Sequence, residues 1–184
     1  LFREYPMKFD IFYYLTTLPV LGELGSVPPI GPAELMELVG EHSRLGRLIG
    51  TVFVSDDLLQ REAFLAGERE DAAPAVLSVQ QVRDEAPLPY ELTRPGEGES
   101  HVIQTDALWE AYFRHAIETG AVAGSRLLVQ WTQSEATLRN ALAAARAERL
   151  GLDKSGYLVA ADLADASEGV SAVVSAWAAA PTPL

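Results

Sequence analysis

WTQSEATLRNALAAARAERLG, residues 131–151, has the pattern of a single long helix. At about 100° per residue, Leu128, Trp131, Glu135, Leu138, Leu142, Ala145 and Arg149 share one face, and the helix extends back to Ser125 and forward to Leu150. Ala136, Asn140, Ala143 and Ala147 form an opposite face of small residues. A bulky side and an alanine side predict a helix packed between neighbours that approach to different distances. Glu135 then lies in the bulky stripe, where a buried carboxylate needs a partner. Arg139 stands four residues on, in the favourable acid-before-base order, and Arg146 follows one heptad later near the same edge. Asn140, on the alanine face, calls for a hydrogen bond across a helix pair. Two readings stay open. One is a local Glu135–Arg139 pair on a half-exposed face, contributing a few tenths of a kcal/mol. The other is a polar lock that fixes helix register or a docking point for another subunit.

The rest of the chain is read around this helix. PAELMELV, residues 32–39, opens with proline at the first helical position and stops at Gly40. DDLLQREAFLAG, residues 56–67, is a second helix, capped by Ser55 or Asp56 and closed by Gly67, with Leu58, Leu59, Ala63 and Phe64 on its buried side. AVLSVQQVRDE gives a shorter helix ending before Pro87. PLPYELTRPGEGES, residues 87–100, is too rich in Pro, Gly and Glu for regular structure and is the best linker in the chain. TDALWEAYFRHAIETG, residues 105–120, is capped by Thr105 or Asp106 and stopped by Gly120. SEGVSAVVSAWAAA forms a last, alanine-rich helix that Pro181 terminates. FDIFYYLTTLPVLG, residues 9–22, fits a strand by composition or a buried helix by context. The expectation is a mostly α-helical bundle over residues 7–180, one domain or two helical halves joined around 87–100. Met7 is expected to be the true start, leaving 1–6 outside the fold, with 181–184 as a tail.

Bulk properties narrow the functions. The 184 residues are enough to bury a core, and 48% hydrophobic with 22% charged residues is an ordinary globular balance. Twenty-six acidic residues against 14 Lys plus Arg give a net charge of −12. That surface repels phosphate backbones and anionic lipids, which argues against nucleic-acid binding and direct membrane docking and favours a basic partner. No stretch approaches the ~20 apolar residues that span a bilayer. The absence of cysteine removes disulfides, thiolate catalysis and cysteine-bound zinc, and suits a reducing cytoplasm.

The catalytic inventory is thin. His42, His101 and His115 are far apart and none has a second ligand at metal spacing, so each is expected at the surface or capped. The glycines at 96–98 and 124 form no phosphate-binding fingerprint, and GERED near residue 70 reads as a solvated loop rather than a calcium site. Trp109, Trp131 and Trp177 lie on different helices and are expected to meet in the core. No catalytic, cofactor or metal residues are assigned. Glu135, Arg139, Asn140 and Arg146 remain as candidate packing or interface residues.

SEATLRNALAAARAERLGLDKSGYLV resembles the acidic-x-x-x-(Leu/Asn)-Arg-Asn-x-Leu pattern, followed by Arg and Leu-Gly-Leu, of the C (eukaryotic d) family of V-type/A-type ATPase subunits, the central cap of the rotor. IFYYLTTLPVL with the following PAELMELV is similar to the start of a bacterial family of unknown function whose genes lie within V-type ATPase operons, and WEAYF with VQWTQSEATLRNALAAARAERLG is similar to its second half. The resemblance covers about half the chain. It implies a helical fold related to one unit of the C/d fold, no catalytic residues, no cofactor, and ATPase subunits as partners. Full C/d chains are nearly twice as long and hold three such units, which an assembly or stator-associated role would not need. Three functions are therefore carried forward. They are a non-catalytic ATPase subunit or accessory factor, cytoplasmic and membrane-peripheral through protein contacts; an unrelated helical adaptor; and a helical enzyme in which Glu135 meets a second carboxylate at a metal.

Overall fold

The computed structural model describes residues 13–40, 43–94, 101–164 and 169–180. The described residues are mostly helical and contain no strand. The elements are α1 (Pro32–Val39), α2 (Arg44–Leu65), α3 (Val79–Val82), α4 (Tyr90–Thr93), α5 (Gln104–Ala123), α6 (Arg126–Leu150), 3-10 turns at Lys154–Tyr157 and Ala161–Leu163, and α7 (Val170–Ala179). No helix among them is long and apolar enough to cross a membrane.

α1 begins and ends where its proline and glycine require, with Gly40 at φ 73°. Upstream, residues 13–17 are helical rather than extended, and the Tyr14 hydroxyl donates to the Val39 carbonyl at 3.0 Å. Residues 9–12 of that stretch lie outside the described residues.

α2 corrects the expected 56–67 helix, because it begins twelve residues earlier, at Arg44, capped by Ser43. The sequence RLGRLIGTVFV reads poorly as helix, since Gly46 and Gly50 cost about 1 kcal/mol each relative to alanine. Packing overrides that cost. Both glycines are buried, and a Cβ on Gly50 would stand 3.2 Å from the tip of Met36 on α1. Ser55 and Asp56 are therefore mid-helix rather than caps: Ser55 Oγ donates to the Val52 carbonyl and Asp56 accepts from Gln60. Leu58 is buried as expected, Leu59 is exposed, and Gly67 closes the helix at φ 73°.

The 75–85 helix shrinks to the four residues of α3, held by a reciprocal Ser78–Gln81 capping box. Within the expected linker one turn, α4, does form, and it buries Leu92. Residues 95–100 lie outside the described residues.

α5 and α6 are the paired long helices. Gly120 was expected to stop α5, but the helix runs on to Ala123 and turns at Gly124, φ 66°. Gly120 instead sits buried at the crossing: an added Cβ would fall 2.9 Å from Val129 Cγ2 and 3.3 Å from the Val129 nitrogen. Its missing side chain is what lets α6 approach. Thr105 and Asp106 cap nothing, because the N-cap position is Ile103. α6 spans the expected range, with Ser125 accepting from the Leu128 amide and Gly151 left-handed at its end. α7 stops at Ala179, and Ala180, which precedes Pro181, is extended.

The core gathers Val54 and Leu58 (α2), Leu77, Val82, Leu92, Trp109, Tyr112, Phe113 and Ala116 (α5), Ala136 (α6), Val159 and Ala160. Trp109, Tyr112 and Phe113 stack edge-on or tilted, with centroids 5.4–5.8 Å apart. Side chains from before and after 87–100 thus share one core.

Candidate functional site

α6 turns its small-residue face inward. Thr132, Ala136, Asn140 and Ala147 are buried, as is Leu128 in the first turn, while Trp131, Leu138 and Leu142 are half-buried and Glu135 is exposed. Of the bulky stripe only Leu128 is buried, so the face is half-exposed, as the first of the two readings had it, and Glu135 is not in the core. Alanines let the neighbouring helix come close, so Trp131, Leu138 and Leu142 are left on the flank. Of that flank, Glu135, Leu138 and Leu142 line an open groove of about 510 Å³ with Glu62, Ile103, Asp106, Arg146 and Tyr157.

Arg139 has a partner, but it is not Glu135. Its Nη2 donates to Asp106 Oδ1 at 3.2 Å, and its guanidinium lies 4.7 Å from the Trp109 ring centroid. Trp109 Nε1 donates to Glu62 Oε1 at 2.6 Å. Glu62, Trp109, Asp106 and Arg139 therefore bind α2, α5 and α6 together, with Asp106 nearly buried. Among the described residues Glu135 makes no ion pair. It faces solvent, where no burial cost obliges it to take the local i+4 geometry.

Asn140 uses both ends of its amide. Nδ2 donates to the Val159 carbonyl and Oδ1 accepts the Val159 amide, both at 2.8 Å. The bond was expected across a helix pair, and it runs instead to the chain that folds back after α6. Arg146 lies over Trp177 of α7 at 5.4 Å, and Arg149 over the same ring at 5.7 Å. The tryptophans do not meet: Trp109 is in the core, while Trp131 and Trp177 are half-buried and no ring contact joins them among the described residues.

Two polar clusters were not anticipated. Asp57, wholly buried on α2, accepts the amides of Ala75, Val76 and Leu77 at 2.7–2.8 Å. Gln60 adds an amide–amide pair with Ala73 beside it. Burial pushes the Asp57 carboxyl up, and the three amides offset only part of that. The second cluster centres on Glu110. His101 Nε2 lies 2.5 Å from Glu110 Oε2, Arg114 donates twice to Glu110 Oε1, and Arg114 pairs bidentately with Asp162. The Arg114 hydrogen bonds hold Asp162 below the usual carboxylate range, and Asp162 raises Arg114 in turn. His101, expected at the surface or capped, is thus largely buried against a carboxylate. His115 is half-buried, and His42 lies outside the described residues.

The Asp57 cluster had a sequence signal, an acid one residue before Leu58 and three after Val54 on an apolar face. The Glu110–Arg114 spacing had one too. The His101 and Asp162 partners had none, being brought in by the loops around them. In the groove, Glu62, Asp106 and Glu135 are the carboxylates a metal-dependent enzyme would need. Glu62 is taken by Trp109 and Asp106 by Arg139. Among the described residues no three His, Asp or Glu are placed to hold a metal ion. Comparison with protein-family models, curated proteins and solved structures finds no match for this chain.

Proposed function

We propose that this chain is a non-catalytic helical subunit or accessory factor of a V-type rotary ATPase, related to one unit of the C/d fold and held at the membrane by protein contacts. One observation carries the reading. The residues in which the resemblance resides are packing residues: Arg139 is tied to Asp106 and Trp109, and Asn140 to Val159. A motif spent on tying α6 to α5 and to the chain that folds back after it fits a scaffold better than a reaction centre. The surface fits as well. Val20, Leu21, Leu24 and Val27 are 77–107% exposed, a run of apolar side chains open to a partner. The −12 charge favours a basic counterpart. The cytoplasm is the proposed compartment, and assembly or stator attachment is the proposed role.

Pull-down from native membranes at low salt tests it, with recovery of ATPase subunits expected. Recovery of the chain without any of them overturns the reading. The exposed apolar run also suits a helical adaptor outside the ATPase, and gene neighbourhood separates the two.

A further inference from the structure

The groove beside α6 combines an apolar floor with an acidic end. Ile103, Leu138, Leu142, Leu150 and Leu152 supply the floor, and Ile103, Leu150 and Leu152 are 44–71% exposed. Its volume of about 510 Å³ lies within the ~300–1,000 Å³ range of ligand pockets. Three carboxylates line it, Glu62 from α2, Asp106 from α5 and Glu135 from α6. Asp106 is neutralised by Arg139. Glu62 accepts a hydrogen bond from the Trp109 indole, a donor that carries no charge. Neither Glu62 nor Glu135 has an ion pair among the described residues. Both stand beside Arg139: Glu62 through the Trp109 ring under its guanidinium, and Glu135 one helical turn before it. One end of the groove thus holds two uncompensated carboxylates. Arg146 lies about two turns further along α6 and is drawn over Trp177.

We infer that this groove binds a short apolar segment of a basic partner protein, with a lysine or arginine of that segment at the Glu62–Glu135 end. Charge selects the occupant. The chain's own exposed apolar run, residues 20–27, has Glu23 as its one charge, and a second copy brings a further −12. Either would add negative charge to an acidic site, whereas a partner cation offsets it. The apolar side chains of the segment supply affinity on the leucine floor, and the cation fixes which way it lies. A groove of this size takes a few side chains rather than a whole domain face, so the contact is a reversible one. The inference concerns a surface and the chemistry it recognises, and holds for whichever protein supplies the segment.

Fluorescence anisotropy of the full chain with two labelled peptides tests this, one alternating lysine with leucine and one alternating lysine with serine at the same charge. The lysine–leucine peptide is expected to bind saturably and the lysine–serine peptide far more weakly. Glu135→Lys and Leu142→Asn are each expected to weaken the lysine–leucine peptide about fivefold or more. Glu37→Lys, at an exposed position on α1 outside the groove, makes the same change in net charge and should shift affinity less than about twofold at physiological salt. Glu135 is exposed and Leu142 half-buried, so circular dichroism is expected to show unchanged helicity in both groove variants. A wild-type chain that binds neither peptide overturns the inference. So does equal binding of the two peptides, or an equal loss in Glu37→Lys, because either reduces the effect to net charge. Self-association of the wild-type chain that Leu142→Asn abolishes gives the groove to a second copy and overturns it as well. No ATPase subunit is present, so failure here leaves the ATPase reading standing, and failure of the pull-down leaves this one.

Discussion

Asp57 shows how much one side chain organises. Three consecutive amides of the segment after α2 close on its two oxygens. Asp57→Ala strips an acceptor from each and leaves a cavity, and is expected to cost about 3 kcal/mol or more in denaturant unfolding, with amide exchange at 75–77 accelerated first. Asp57→Asn keeps the shape and one acceptor, so it should fall between that variant and the wild type. Tyr112 behaves oppositely. It is 1% exposed, and its hydroxyl has no well-formed hydrogen bond. Burial pushes its pKa from 10.0 up to about 12, the neighbouring Ser55 hydroxyl offsetting part of the rise. The unfolded chain therefore loses this proton first. Stability is full below pH 10 and falls as pH rises toward 12, by about 2–3 kcal/mol from this group. Tyr112→Phe is expected to be neutral or stabilising at pH 7 and to lessen that alkaline decline. A cost above about 1 kcal/mol at pH 7 would mean the hydroxyl has a partner in solution.

Between elements, the decisive contact is α5 against α6 at Gly120. Alanine there raises helix propensity by about 1 kcal/mol, but its methyl collides with the β-branched Val129, and overpacking costs typically about 1–3 kcal/mol. Gly120→Ala is expected to lower the melting temperature. Adding Val129→Ala should recover part of the loss, because Cγ2 is the nearest obstacle. Additive losses in the double variant would refute close packing as the cause. The same preference for close approach explains why α2 tolerates Gly46 and Gly50, and why α6, beyond Leu128 in its first turn, buries alanines rather than Leu138 and Leu142.

Over the whole molecule, the −12 charge makes self-repulsion the background against which each ion pair acts. The Arg114–Asp162 pair joins α5 to the chain after α6, and Arg114 holds the Asp162 pKa below its ordinary 3.8. Its contribution is present above that value and is lost as pH falls through the lower folded-state pKa. Asp162→Asn should remove this part of the acid sensitivity, read as a smaller fall in melting temperature below about pH 4.

The helices themselves were legible because their signals are local: Pro32 and Gly40 bound α1, Gly67 ends α2, and Ser125 opens α6. The mostly helical class and the α6 boundaries follow from such signals alone. Which face of α6 is buried did not follow, since both its leucine stripe and its alanine stripe repeat at helical spacing. That choice depends on how near α5 can come, and so on Gly120, in another element. Partners followed the same division. Glu135 and Arg139 are neighbours on one helix, but Arg139 was claimed by Asp106 and Trp109, 33 and 30 residues away in sequence. Caps, prolines and apolar spacing placed α1 and α6, but not the start of α2, the end of α5 or the extent of α3, where packing overrode the local signals. Which faces are buried and which charges meet is a property of the assembled fold, because close packing and desolvation act between residues that only the fold brings together.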